Sequence, residues 1–196
     1  MNILAFVDTH GERRKFDSII KKSEDADIIL CAGDLTVFDA NLREFLEKLN
    51  NLNKYTLIIH GNHETDESMR AAAKGLNSIK VIHRKVFKFR DLYVFGWGGG
   101  GFTETDPELE KKGDKYARVL KGKKFIFMTH GPPHRTNVDL VNQAHVGCKT
   151  IRKFIEKNQP AINICGHIHE GSKKQDKIGK TLIINPGPDG TILKLK

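Results

Sequence analysis

The stretch NILAFVDTH, residues 2–10, runs five apolar residues from Ile3 to Val7 straight into Asp8 and His10. A short apolar run closed by turn-prone polar residues predicts a buried strand with a loop at its carboxyl end. The arrangement recurs down the chain. DIILCA (27–32) leads into Gly33-Asp34, and YTLIIH (55–60) into Gly61-Asn62-His63-Glu64. KFIFMT (124–129) leads into His130-Gly131-Pro132-Pro133, and AINIC (161–165) into Gly166-His167-Ile168-His169. Five buried-looking strands therefore each end in Asp, Asn or His. In open α/β sheets the carboxyl ends of neighbouring strands face one crevice, so these loops can converge.

The segments between the strands have helical spacing. Phe16, Ile19 and Ile20 fall on one face, and so do Leu42, Phe45, Leu46 and Leu49, with Asp39 placed as an N-cap. Asp106 with Pro107 opens another helix that Gly122 closes, and Ile151, Phe154 and Ile155 mark a fourth before Pro160. KVFKFRDLYVFGW (85–97) reads as a hairpin turning at Arg90-Asp91, and the tail from Glu170, with TLIIN (181–185) and TILKL (191–195), is strand-like. Strand–helix alternation giving way to hairpins predicts a mixed α/β layered fold. With no linker or repeat in view, residues 1–196 read as a single domain.

Composition fits a globular protein: 38% hydrophobic and 29% charged residues, with three scattered cysteines among apolar neighbours. Reduced thiols of this kind point to a cytoplasmic setting. No apolar run reaches the ~18 residues of a membrane span, and no basic stretch precedes the first apolar run as in a signal peptide. The formal net charge of +9 permits nucleic acid as a partner. Its lysines are spread along the chain near acidic residues, which favours a solvated surface over a polyanion groove.

Taken singly, each polar loop has an ordinary explanation: Asp-x-His, Gly-Asp and Gly-Asn-His are common turns, and a lone His130 is a satisfied loop histidine. Together they are hard to explain by packing, because polar groups gathered at strand ends without partners cost a few kcal/mol in desolvation. The series D-x-H, G-D, G-N-H-E, H, G-H-x-H, from Asp8 to His169, resembles the calcineurin-like metallophosphoesterase family. That resemblance implies a two-sheet β-sandwich flanked by helices in four αββα layers. It also implies two divalent cations, manganese first, with iron, zinc or nickel as alternatives. One would be held by Asp8, His10, His169 and a bridging Asp34, the other by Asp34, Asn62, His130 and His167. His63 would be the general acid beside the leaving group. The implied reaction is attack of metal-bound hydroxide on a phosphodiester, or a monoester, of a small or nucleotide substrate.

The chain departs from the protein-phosphatase branch, where GDxxDRG and RGNHE are usual. Here the motifs read GDLTVF, with Val37 at the second Asp position, and HGNHE. The usual carboxylate partner of the acid histidine is missing, leaving Asp39 or Glu64 as substitutes. The compact phosphodiesterase branch, including the class III cyclic nucleotide phosphodiesterase-like group, is the nearer resemblance, and INPGPDG (184–190) resembles its NPGS turn with Pro188 in place of Ser. A catalytically weak interaction scaffold of the same fold and a nuclease are the competing readings. The glycine-rich GWGGGGF (96–102) is either a substrate-side loop or a simple bend, and Trp97 and Phe102 either stack on a base or cover the core. His134 and Arg135, close to His130, are candidate phosphate contacts or an ordinary polar loop. The sequence leaves the oligomeric state open.

Overall fold

Alternate residues of the first strand enter different cores. Ile3, Ala5 and Val7 join one buried cluster, whereas Leu4 and Phe6 join another, as the two-residue repeat of a strand requires. The computed structural model describes residues 1–195. In chain order its elements begin with β1 (Asn2–Phe6), α1 (Arg13–Ser23), β2 (Ile28–Cys31), α2 (Leu42–Asn50), β3 (Thr56–Ile58), α3 (Asp66–Ala73) and β4 (Ile79–Val81). They continue as β5 (Lys85–Phe89), β6 (Leu92–Trp97), α4 (Pro107–Leu120), β7 (Phe125–Thr129), β8 (Leu140–Val141) and β9 (Ala144–His145). The remainder are α5 (Lys149–Asn158), β10 (Ile162–Ile164), a 3-10 turn (His169–Gly171) at the start of the tail expected to be strand-like, β11 (Gln175–Ile178), β12 (Thr181–Ile184) and β13 (Thr191–Lys194).

Two main sheets result, in the orders β13-β1-β2-β3-β4 and β11-β12-β10-β7-β6-β5. Within the first, β1, β2, β3 and β4 pair parallel through helical crossovers, while β13 closes the edge antiparallel to β1. Ile3, Leu30 and Leu57 face Val94, Ile126 and Ile164 in the cluster between the sheets. On the outer side of the first sheet, Leu4, Phe6 and Ile29 pack against Phe16 and Ile19 of α1 and Phe45 and Leu46 of α2. Outside the second, Phe95, Phe127 and Ile183 pack against Leu109 of α4 and Phe154 of α5. Helices on both outer faces of two stacked sheets make the four expected αββα layers, held by roughly 1.5–3 kcal/mol for each fully buried large apolar side chain.

Local chemistry explains some of the element ends. Asp106 caps α4 by accepting from the Leu109 amide at 2.8 Å, and the hairpin of β5 and β6 turns at Arg90, in the left-handed region at φ 52°. One expected cap is wrong. Asn41 occupies the cap position of α2, with left-handed backbone and no side-chain cap bond. The Asp39 carboxylate instead accepts from the Ser68 hydroxyl of α3 at 2.8 Å. The helix α3, the short β4 and the β8–β9 hairpin were not foreseen. Cys31, Cys148 and Cys165 are free and buried, and burial pushes all three thiols up from their ordinary pKa. Among the described residues no helix is long and apolar enough to cross a membrane.

Candidate metal centre

The carboxyl ends of β1, β2 and β3 bring up Asp8, His10, Asp34, Asn62 and His63 from one sheet; those of β7 and β10 bring His130, His167 and His169 from the other. The polar atoms meet. One ligand atom from each of Asp8, His10 and His169 lies within 4.8 Å of the other two, and so do those of Asp34, His130 and His167 and those of His10, Asp34 and His63. His10 Nε2 and His169 Nε2 are 3.2 Å apart. His130 Nε2 is 3.4 Å from Asp34 Oδ2 and 3.0 Å from Asn62 Oδ1. Asp34 belongs to two of the three groups, between the imidazoles of both sheets.

Backbone conformation makes this convergence. Asp8, His10, Asp34 and His167 all have left-handed φ, between 50° and 67°. That region disfavours a residue with a Cβ, by roughly 1–2 kcal/mol in repeating structure, and such residues gather at functional sites. Two glycines let neighbouring loops touch. A Cβ on Gly61 would stand 2.0 Å from Asp34 Oδ1, and one on Gly166 would stand 2.1 Å from Val7 Cγ2 and 2.8 Å from Asp8 Oδ2. The His167 amide donates to Asp8 Oδ2 at 2.9 Å and the His63 amide to Asp34 Oδ1 at 3.0 Å, which orients both carboxylates. His130 Nδ1 lies 3.0 Å from the Ala32 carbonyl, an acceptor only, so Nδ1 carries the proton and Nε2 faces the cluster.

The electrostatics are those of crowded ligand atoms. Burial raises the Asp8 carboxyl to about 6. Burial works to raise Asp34 too, but the hydrogen bond and charge of His130, aided by the His63 amide, hold it at about 2. Burial opposes protonation of His130, yet the adjoining Asp34 overrides it and raises the pKa. Burial lowers His10, and lowers His167 to about 4. His167 Nε2 is buried without a partner among the described residues, and a ring nitrogen of His167 lies within 4.8 Å of ligand atoms of Asp34 and His130. Carboxylate, amide oxygen and neutral imidazole suit manganese, iron or zinc better than the all-oxygen shell of magnesium or calcium. On this donor set and that unpartnered nitrogen, the residues fit divalent cations.

A cleft of about 630 Å³ opens over the cluster, lined by His10, Asp34, Asn62, His63, Phe102, Val141, His167, Ile168, His169 and Glu170. His63 sits at its edge, Nε2 4.0 Å from Asp34 Oδ2 and its ring 5.0 Å from that of His10. Neither suggested carboxylate partner reaches its Nδ1, which has no partner among the described residues. Asp39 is engaged by Ser68. The buried Glu64 carboxylate turns to the backbone, accepting from the amides of Asp34 at 3.1 Å, Thr36 at 2.7 Å and Gly61 at 3.3 Å. The Phe38 ring, unforeseen in the sequence, flanks His63 with centroids 4.8 Å apart.

His134 and Arg135, the candidate phosphate contacts, are not among the residues lining the cleft. The loop after β7 winds around buried Asp139, which accepts from the Arg135 amide at 3.0 Å and lies 3.7 Å from His134 Nδ1. His145 Nδ1 is 2.7 Å from the same carboxylate. The glycine-rich segment borders the site: Gly98 and Gly99 pack on His60, and Gly101 packs beside His167 and Asn62. Trp97 covers the core and donates to Asp106 Oδ2 at 2.6 Å, while Phe102 is exposed with its ring 4.5 Å from that of His167.

Two sheets with helical outer layers and a cluster of carboxylate, amide and imidazole at the strand ends define a class of metal-dependent hydrolase. The family model of calcineurin-like phosphoesterases matches residues 1–171, and the chain belongs to that family. An uncharacterized protein, MJ1162 of Methanocaldococcus jannaschii, is 38% identical over 202 residues, covering 96% of this chain and 88% of the relative. Among solved structures, TT1561 of Thermus thermophilus superposes with TM-score 0.77 at 19% identity, over 95% of this chain and 88% of the other. A dimetal phosphatase from Danio rerio superposes with TM-score 0.64 at 11% identity, over 94% of this chain and 86% of the other. At such identities the likeness to the solved structures concerns the fold.

Proposed function

We propose that the protein is a dinuclear-metal-dependent phosphoesterase that hydrolyses phosphodiesters of small or nucleotide substrates. The observation that carries this reading is the position of Asp34, shared between the His10 side of the cluster and the His130–His167 side. Asp8, His10 and His169 with Asp34 would hold one cation, and Asp34, Asn62, His130 and His167 the other; manganese is the first choice, then iron, zinc or nickel. When bound, such a pair makes water a nucleophile near neutral pH and neutralises charge on the phosphoryl oxygens.

The remaining work falls to the chain. Asn62 and the left-handed loops hold the reacting group in line, and His63, at the cleft edge, hands its proton to the departing oxygen. Phe38 packs against the His63 ring and helps to fix its plane in place of a carboxylate. Among the described residues the cleft lining contains no Lys or Arg and does contain Glu170, which favours a singly charged diester over a dianionic monoester. The same absence weighs against a nucleic-acid groove, since polyanion binding rests on phosphate contacts from Lys and Arg. Buried free thiols accord with a reducing, cytoplasmic setting.

Hydrolysis of bis(p-nitrophenyl) phosphate by manganese-reconstituted protein, abolished by chelation and restored by re-addition, is the expected result. Protein that carries two cations per chain yet does not exceed the uncatalysed rate would make the scaffold reading correct.

A further inference from the structure

Of the eleven phenylalanines in the chain, all among the described residues, only Phe38 and Phe102 are exposed, at 77% and 71%. Both stand against histidines of the metal centre, Phe38 beside His63 and Phe102 beside His167. Ring contacts run from Phe38 through His63 and His10 to His169, and from His130 through His167 to Phe102. The two bare phenyl rings therefore end two rows of imidazoles that have Asp34 between them. Phe38 is held there on a left-handed backbone, φ 47°, an uncommon conformation for a bulky side chain. Phe102 follows three glycines with φ of 79°, 108° and 96°, which carry the chain out over the cluster. Val141, from the β8–β9 hairpin, is a second apolar residue of the cleft lining.

An exposed ring lining a cleft that offers no cationic side chain among the described residues defines the ligand it fits: a central phosphate with a flat, apolar-faced substituent. Phe38 is not part of that lining and reaches the site through its contact with the His63 ring. A dianion or a polyphosphate would meet Glu170 and no counter-charge from Lys or Arg. We infer that Phe102 is a specificity-determining residue, selecting a monoanionic phosphodiester with a planar aromatic substituent, such as a nucleobase-bearing or aryl ester, and that Phe38 is a positioning residue for the His63 ring. The substituent that remains on phosphorus stacks on Phe102, and the leaving group lies next to His63, whose ring Phe38 flanks. The inference rests on the phosphodiesterase reading above.

Three diesters with one leaving group test it on manganese-reconstituted enzyme: methyl, phenyl and thymidine 5′-yl p-nitrophenyl phosphate, each normalised to its own hydroxide-catalysed rate. The wild type is expected to prefer the phenyl and thymidine esters over the methyl ester in kcat/KM by roughly three- to tenfold, the range of an aromatic pair. Phe102→Ala should collapse that ratio mainly through KM, and Phe102→Tyr should restore it. Phe38→Ala should depress all three esters by a common factor and leave the ratio in place. A wild-type ratio near one, a ratio untouched by Phe102→Ala, or a higher kcat/KM for p-nitrophenyl phosphate than for the diesters would overturn the inference while leaving a phosphoesterase. No turnover of any ester by protein holding two manganese ions per chain would overturn the phosphodiesterase reading and this inference with it.

Discussion

Asp34 answers to three neighbours at once: the His63 amide at 3.0 Å, the His130 ring at 3.4 Å, and through its own amide the Glu64 carboxylate at 3.1 Å. His63 is fixed by its own amide and by the rings around it, so it can be removed without removing a cation. His63→Ala should lower kcat by about 10²–10⁴-fold with metal content, measured by elemental analysis, nearly unchanged; loss of metal would make His63 a ligand. The titrations give a second expectation. At pH 6 His130, raised from its ordinary value, holds a proton and Asp8, raised to about 6, is about half protonated, and an incoming cation must expel these protons, whereas His167, lowered to about 4, is already neutral. Cation binding should therefore release protons, and affinity should fall as pH drops through the raised His130 value and on through about 6, where Asp8 is protonated too. Calorimetry in two buffers of different ionisation enthalpy reads this directly, and equal apparent enthalpies would refute it. At this scale the sequence was most legible. Polar residues at strand ends have no packing reason to be there, and all eight proposed ligand and acid residues lie in the cluster. Phe38 was not legible, because an exposed ring leaves no periodicity to detect, and the surroundings of His134 were not, because proximity in sequence to His130 says nothing of how Asp139 folds the loop.

Among the elements, the two loops that supply Asp34 and Asn62 are tied by one side chain. Glu64 takes the amides of Asp34, Thr36 and Gly61, and each buried donor left unpaired costs about 1–3 kcal/mol. Glu64→Ala should lower the unfolding free energy by at least that amount in a denaturant titration, and should weaken cation binding by misplacing Asp34. Glu64→Gln, which keeps an acceptor oxygen, should lose less. The long helices were readable from their apolar faces. The short elements were not: α3 buries only Met69, and β4 has one buried residue in three, too few to set a period. The Thr65–Ser68 capping box of α3 was a signal that local chemistry offered and that the apolar pattern obscured. Asp39 looked like a cap because its type fits, but a left-handed Asn41 starts the helix and frees Asp39 for Ser68.

For the molecule as a whole, the proposed ligands come from both sheets, so a bound cation acts as a staple between two halves otherwise joined by an apolar interior. Manganese should raise the melting temperature, with a gain of about 2.7 kcal/mol at a hundred times its dissociation constant. His167→Ala should lose much of that gain, and differential scanning calorimetry with and without chelator is the measurement. The mixed α/β class was legible from the alternation of strands and helices along the chain and the two-sheet layering from the family resemblance, while the pairing of β13 beside β1 was not, since edge partners depend on distant contacts.

The buried thiols turn this joint into something that can be watched. Cys31 packs under the helices of one sheet and Cys165 under those of the other, and neither is open to an alkylating reagent while the protein stays closed. Their modification rates, read separately by mass spectrometry, should therefore act as two clocks for breathing in the two halves. Without manganese the clocks should run at unrelated speeds; with it, both should slow and keep common time.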